Sequence, residues 1–427
     1  MRIMLSIVWY GSQAWLGGLC VSAMISSWSY DFLHMENTLP ESAHMVTRDL
    51  VGFTIFHAIS VPFLLIRPER AQGYLISANI VVFFVMMGIT IWSCTKAEGT
   101  GPMFEAGARQ PSTLSTGWAW LYGIVASLGS IAAGIINQSD FTRFATKQGV
   151  QVPGMTLSLL VFGMIVPIFA MLSASASLEI WPDLEAPIWN PIIIVFQWMT
   201  DDYNPGARAA AFFCSAGFVF GQIAENVVGN GYAAGMDLAG LSPNWITIKR
   251  GALVAAALSW LVHPWEFYNT ASVFVSVAAS FSVFLGPMTG IMMADYWIVR
   301  RQKIQISQLY TGDPEGSYWY TYGFNWRALV SWVVCFAPAM PGMIANVNPN
   351  VTVSTGILNY YRGNYLFGFC EAALLYTMLC FLFKPKGAGL QDDADIYGTF
   401  DEAIAIKKGM TPWEKRLEVQ KIQGSEE

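Results

Sequence analysis

The chain has 427 residues, 54% of them hydrophobic and only 12% charged, against roughly 25% charged in an ordinary soluble domain. This composition excludes a soluble globular enzyme and points to a polytopic membrane protein. The net charge of −6 comes with no basic stripe, so no nucleic-acid partner is indicated. The six cysteines sit in or beside apolar runs without paired short spacings, a pattern of neither a disulfide framework nor a zinc site.

With about 20 apolar residues per span, the sequence predicts ten transmembrane helices, near 3–27, 50–66, 72–94, 117–141, 154–177, 207–235, 250–264, 267–294, 327–346 and 364–383. The first run is long enough to span and lacks a small-residue cleavage site, so it reads as a helix and not as a signal peptide. The run at 250–264 is short, and His263-Pro264-Trp265 turns it into the next. An all-α transmembrane domain over 1–383 and a polar C-terminal tail over 384–427 follow, with the lipid bilayer as the implied surroundings. An even number of spans places both termini on one side. Eighteen of the 23 Lys and Arg then share the side of Met1, and eleven against five do so outside the tail, so the positive-inside rule makes both termini cytoplasmic. In that orientation the sequon Asn350-Val351-Thr352 is outside and open to glycosylation, whereas Asn137-Gln138-Ser139 lies at an inner helix end. The tail, with Asp392-Asp393-Ala394-Asp395 and a short amphipathic patch from Trp413 to Val419, reads as solvated.

Polar residues inside the spans are the candidates for function, because ionisable groups at bilayer depth are costly and tend to mark substrate or ion pathways. In the first span Trp9 and Gln13 are four residues apart and share a helical face. An aromatic face one turn from an amide suits a planar heterocycle with alternating C=O and N–H groups; the competing reading of Trp9 is a membrane-interface anchor. At an inner helix end, Asp140 and Arg143 are spaced to pair and read as a gate or loop brace. The stretch from Phe220 to Lys249 carries Gln222, Glu225, Asn226, Asn230 and Asp237 among Gly221, Gly229, Gly231 and Gly235. It is either a substrate site with loosened backbone lining a cavity or a helix contact made close by small residues. Asn226 and Asn230 form a second i, i+4 pair. Glu225, at bilayer depth, is a candidate proton carrier, against a structural carboxyl held by neighbouring amides. Asp295-Tyr296-Trp297 before Arg300-Arg301 marks another inner boundary, and His57 and His263 read as structural. No nucleophile and base pair, phosphate loop or metal-ligand cluster appears, which argues against an enzyme.

The ordered motifs WYGSQAW at 9–15, INQSDFTRFA at 136–145, GQIAENVVGNGYAAGMDLAGLSP at 221–243, ITIKRG at 246–251, DYWIVRR at 295–301, NWRALV at 325–330 and PGMIA at 341–345 resemble the nucleobase-cation symporter family 1, and within it the fungal uracil, allantoin and uridine permease branch. The resemblance implies a twelve-helix transporter with a five-plus-five inverted repeat plus two C-terminal helices. It places the first span at the family's third helix, so a chain lacking the first two helices, with about ten left, is expected. The resemblance further implies that Trp9 stacks on the substrate ring, that Gln13 and Asn230 hydrogen-bond it, and that Ile131 stands where some members have a second stacking tryptophan. Ala224 and Glu225 occupy positions where sodium-coupled relatives carry hydroxyl ligands. A proton is therefore the expected coupling ion, sodium is disfavoured, and no other cofactor is implied. The expected activity is proton-coupled import of uracil, allantoin or uridine at the plasma membrane by alternating access. Thiamine or nicotinamide riboside is the alternative cargo within the branch, and a truncated, non-transporting paralogue is the alternative of another class. No pattern specifies an oligomer.

Overall fold

The computed structural model describes residues 2–105, 114–145, 149–268, 271–309, 311–348, 350–415 and 417. Arg109, Lys147, Arg416 and Lys421 of the charge count, and Val419 at the end of the amphipathic patch, lie outside the described residues. The helices in chain order are α1 (Arg2–Ser26), α2 (Tyr30–Leu33), α3 (Thr47–Ser60), α4 (Gln72–Lys96), α5 (Thr116–Thr142), α6 (Gln151–Leu157), α7 (Gly163–Ile180), α8 (Pro191–Asp201), α9 (Pro205–Glu225), α10 (Ala233–Leu241), α11 (Ile248–Leu258), α12 (Ala271–Ala294), α13 (Trp326–Phe336), α14 (Met340–Val347), α15 (Thr355–Arg362), α16 (Asn364–Leu382) and α17 (Glu402–Lys407). Among the described residues no β-strand forms, only two isolated bridges. The protein is an all-α polytopic membrane protein.

Eight helical segments among the described residues are long and apolar enough to cross a bilayer. Each matches one of the ten expected spans. The two remaining expected spans are also helical: α1, and α11 with its 3₁₀ continuation Ser259–Val262. Several spans are continuous only because a π-helical stretch joins two α-helices. Ser158–Phe162 links α6 to α7, Asn226–Tyr232 links α9 to α10, and Asp295–Val299 extends α12. Starts follow ordinary capping chemistry. Asn204 accepts from the Ala207 backbone N–H at 2.8 Å with Pro205 in the first turn, and Asn190 caps α8 before Pro191 in the same way.

The chain divides into two compact units. In the first, residues 1–114 and 136–275, α1 is the central helix, packed on α3, α9, α10 and α11. Its crossing with α3 is close because the contact is made by glycine. A Cβ on Gly52 would stand 2.1 Å from the Ser22 hydroxyl and 2.3 Å from the Gly18 carbonyl oxygen. Lipid tails supply no hydrophobic drive for helix association, so such close backbone packing is a main source of it. Around this seam Tyr10, Phe53, Phe56, Leu64 and Tyr232 are fully buried.

In the second unit, residues 115–135 and 276–427, α12 meets α16 at Gly290, where a Cβ would lie 2.2 Å from the Phe369 carbonyl oxygen. At one end of this unit Asp295 accepts from Arg300 Nε at 2.7 Å and from the Tyr376 hydroxyl at 2.7 Å. Arg300 also donates to Tyr320 at 2.6 Å. The tail differs from the solvated reading, since its acidic side chains have backbone donors to satisfy. Asp392 accepts from the Ser307 hydroxyl at 2.5 Å and its N–H at 3.1 Å. Asp395, 1% exposed, accepts from the N–H groups of Tyr397, Thr399 and Phe400 at 2.8–3.3 Å.

Candidate functional site

The polar stretch from Phe220 to Lys249 resolves into two kinds of residue. Its glycines make contacts. A Cβ on Gly221 would meet Val82 at 2.2 Å, one on Gly231 would meet Leu64 at 2.5 Å, and one on Gly235 would meet the Ile248 carbonyl oxygen at 2.3 Å. For these positions the helix-contact reading is the right one. Asn226 and Asn230 are different, because they fall in the π-helical link Asn226–Tyr232, with Glu225 just before it. An extra residue per turn frees backbone groups and redirects side chains, and such bulges concentrate at functional sites.

Within that link Asn226 is fully buried and donates through Nδ2 to the Tyr10 carbonyl of α1 at 3.1 Å. Asn230, half-buried, donates to Asn226 Oδ1 at 3.1 Å. The chain Asn230–Asn226–Tyr10 ties the link to α1 beside Trp9. Asn226 is therefore committed to α1, while the Asn230 amide oxygen is left for another donor.

On α1, Trp9 and Gln13 are both half-buried, one turn apart. The Gln13 amide oxygen is buried and has no hydrogen-bond partner among the described residues, and the Gln222 amide oxygen of α9 is in the same condition. A buried acceptor without a partner costs free energy, about 1–3 kcal/mol, and natural structures keep such groups where a ligand or water supplies the donor. Trp15, three positions beyond Ser12, is buried against Phe53 and Trp265 and serves another face. Glu225 is exposed, with its carboxyl over Gly229, where a Cβ would stand 3.2 Å from Oε1. Ala224 beside it is buried. Ile131 lies on the part of α5 that belongs to the second unit, where it is exposed.

The pairing of Asp140 with Arg143 needs correction. Arg2 reaches Asp140, and the same guanidinium lies 3.0 Å from Asp237 of α10. Arg143 instead lies over the ring of Phe144 at 4.9 Å. A same-helix pair at i, i+3 is worth only tenths of a kcal/mol, whereas Arg2 satisfies two carboxylates from different helices. The tertiary partner wins. Sequence reading missed Arg2 because it stands alone before an apolar run; the signal was Asp237, an unpaired carboxyl at the matching end of a span. His57 is structural as expected, 3.3 Å from the Ser259 hydroxyl and edge-on to Phe53.

The structure thus combines an aromatic residue, unsatisfied amides and a helix interruption inside membrane-length helices, an arrangement suited to a polar planar solute. The family of permeases for cytosine/purines, uracil, thiamine and allantoin matches residues 1–368, and the chain belongs to that family. Among curated relatives of Saccharomyces cerevisiae, the thiamine transporter THI72 is 39% identical over 96% of this chain and 68% of its own length. Nicotinamide riboside transporter 1 is also 39% identical, with the same coverage. The allantoin and uracil permeases of that yeast are 28% identical. The chain thus spans about two thirds of these relatives' length. Among solved structures, the inward-facing conformation of Mhp1 has a similar fold, with a TM-score of 0.58 at 19% identity, covering 96% of this chain and 77% of that one.

Proposed function

We propose that this chain carries the translocating helices of a secondary active importer whose cargo is a thiamine- or nicotinamide-riboside-like molecule, a planar heteroaromatic ring bearing a positive charge. The observation that carries a heterocycle site is the buried, unpartnered Gln13 amide oxygen, one turn from Trp9 on the helix to which Asn226 anchors Asn230. In this reading the ring stacks on Trp9, and Gln13 and Asn230 take its polar edge. The choice of cargo draws on the relatives, since those named for thiamine and nicotinamide riboside are 39% identical and those named for allantoin and uracil 28%. That gradient reverses the preference the sequence motifs suggest, and makes uracil, allantoin or uridine the second reading.

Import is coupled to protons, with Glu225 as carrier, and the chain resides in the plasma membrane with both termini cytoplasmic. Support for the carrier role comes from position: a carboxyl at the start of a helix interruption, without an ion-pair partner among the described residues. Asp140 and Arg143 belong to the inner gate region, with Arg2 and Asp237.

The test is uptake of radiolabelled thiamine, nicotinamide riboside, uracil and allantoin by cells expressing the full chain. Thiamine or nicotinamide riboside uptake is expected, lowered about tenfold or more in Trp9→Ala, in line with roughly 1–3 kcal/mol for a stacked ring. Uptake confined to uracil or allantoin refutes the cargo, and no uptake by correctly inserted protein refutes the importer. In Glu225→Gln the pH dependence of uptake should disappear; a profile identical to the parent rules out Glu225 as carrier.

A further inference from the structure

A cavity lies in the first unit, on the other face of α1 from Trp9 and Gln13. It is a groove of about 680 Å³ whose walls include Trp15, Trp189, Trp265, Tyr268, Asp49 and Asn190, a volume suited to a ligand of a few hundred daltons. Trp189 and Tyr268 lie nearly parallel at 6.1 Å, and Trp15 and Trp265 are 6.1 Å apart. His44, on the rim, is held by Glu266 at 2.8 Å, clasping the loop before α3 to the loop after α11. Among the described residues no Lys or Arg lines the groove. Arg48, which neutralises Asp49 at 3.1 Å, turns away to the Leu33 carbonyl and the Phe196 ring.

The end of the first unit that carries this groove is acidic. Segments 27–49, 96–105, 179–208 and 263–268 together hold twelve Asp and Glu against three Lys and Arg. The positive-inside rule depletes Lys and Arg from an outer face but does not require acidic residues there. This excess of carboxylates at the end that carries an aromatic-walled groove forms a field that concentrates cations, and the faces of Trp and Tyr attract them at short range. A neutral heterocycle gains nothing from the first feature and less from the second.

We propose that this groove is a vestibular binding site for a monovalent aromatic cation, distinct from the Trp9–Gln13–Asn230 site. The cation rests on the faces of Trp189, Trp265 and Tyr268, with Glu266 and the other carboxylates of this end supplying the countercharge. The floor is linked to the inner site, because the Tyr268 hydroxyl is 2.5 Å from Ser12 Oγ, one residue before Gln13. A cation held here is thus one helix face away from the proposed translocation site. The inference deepens the proposed function and shares with it the premise of a cationic cargo.

The experiment uses the purified full chain in nanodiscs with 1-methylnicotinamide, a pyridinium cation, and nicotinamide, its neutral counterpart, read by calorimetry and tryptophan quenching. The cation is expected to bind saturably and more tightly than nicotinamide, and to weaken as salt rises from about 20 to about 300 mM. Trp189→Leu and Glu266→Gln should each weaken the cation ~3- to 30-fold and leave nicotinamide unchanged. Trp189→Tyr, which keeps an aromatic face, should retain most of the binding, so a loss in Trp189→Leu alone is not a folding artefact. Trp9→Ala should keep the vestibular signal. Equal affinity for the two probes, no effect of Trp189→Leu, or complete loss in Trp9→Ala each overturns the proposal. The two readings fail separately: cation binding without thiamine or nicotinamide riboside uptake refutes the cargo but leaves the vestibule, and uptake without vestibular binding does the reverse.

Discussion

Asn226→Ala is the most informative perturbation of the central site, because it separates orienting a substrate ligand from being one. Asn226 donates to the Tyr10 carbonyl and accepts from Asn230, both at 3.1 Å. Side-chain hydrogen bonds between membrane helices are worth about 0.6 kcal/mol on average and up to about 1.7. Losing the Tyr10 bond therefore costs roughly 1 kcal/mol of stability, with a small further cost for the space left in a fully buried position. The functional loss is of another kind. Without its acceptor the Asn230 amide is free to rotate, and a neutral hydrogen bond to substrate, about 1 kcal/mol, is weakened. KM for uptake should rise about five- to tenfold, with a smaller change in maximal rate. Asn230→Ala should raise KM at least as far with little loss of stability. If Asn226 acts through Asn230, the double variant should transport no worse than Asn230→Ala alone, a coupling of about 0.5–1.5 kcal/mol. The assay is initial-rate uptake in proteoliposomes, with thermal unfolding recorded in parallel. Losses in KM that add to within about 0.3 kcal/mol refute the orienting role.

Three other outcomes follow from the geometry. Gly52→Val, which drives a branched side chain into Ser22 and Gly18, should destabilise by about 3 kcal/mol or more. Gly73→Val, with nothing within 4 Å of its Cβ, serves as the control, and equal melting temperatures for the two would refute the glycine seam. Arg2→Gln leaves Asp140 and Asp237 facing each other without a cation and should cost about 1–3 kcal/mol. Adding Asp237→Asn should recover part of that loss, and thermal unfolding that shows no recovery removes the shared-cation account. Asp395→Ala takes the acceptor from three backbone N–H groups. Limited proteolysis should then cut between 395 and 411 at least tenfold faster, since one or two such bonds amount to about 1.4 kcal/mol or more; an unchanged cleavage rate shows that the tail is held by other contacts.

The membrane class, the order of the spans and the family motifs were legible in the sequence because they depend on local quantities: runs of about 20 apolar residues and short ordered patterns. Trp9 with Gln13, and Asn226 with Asn230, were legible as pairs because helical periodicity alone places i and i+4 on one face. Periodicity could not say which amide of a pair is spent inside the protein. That was decided when the π-helical link came against α1 and the Tyr10 carbonyl took Asn226, leaving Asn230 half-buried. The partner of Asp140 is of the same kind, since Arg2 is 138 positions away and no local rule connects them. The tail read as solvated because runs of Asp are usually hydrated; the backbone N–H groups that bury Asp395 exist only once residues 395–400 have folded into a turn. The vestibule shows the limit most plainly, as its four aromatic walls come from three separated segments. Composition and period fix what each helix is, and which buried donors meet which acceptors is settled only when the helices pack.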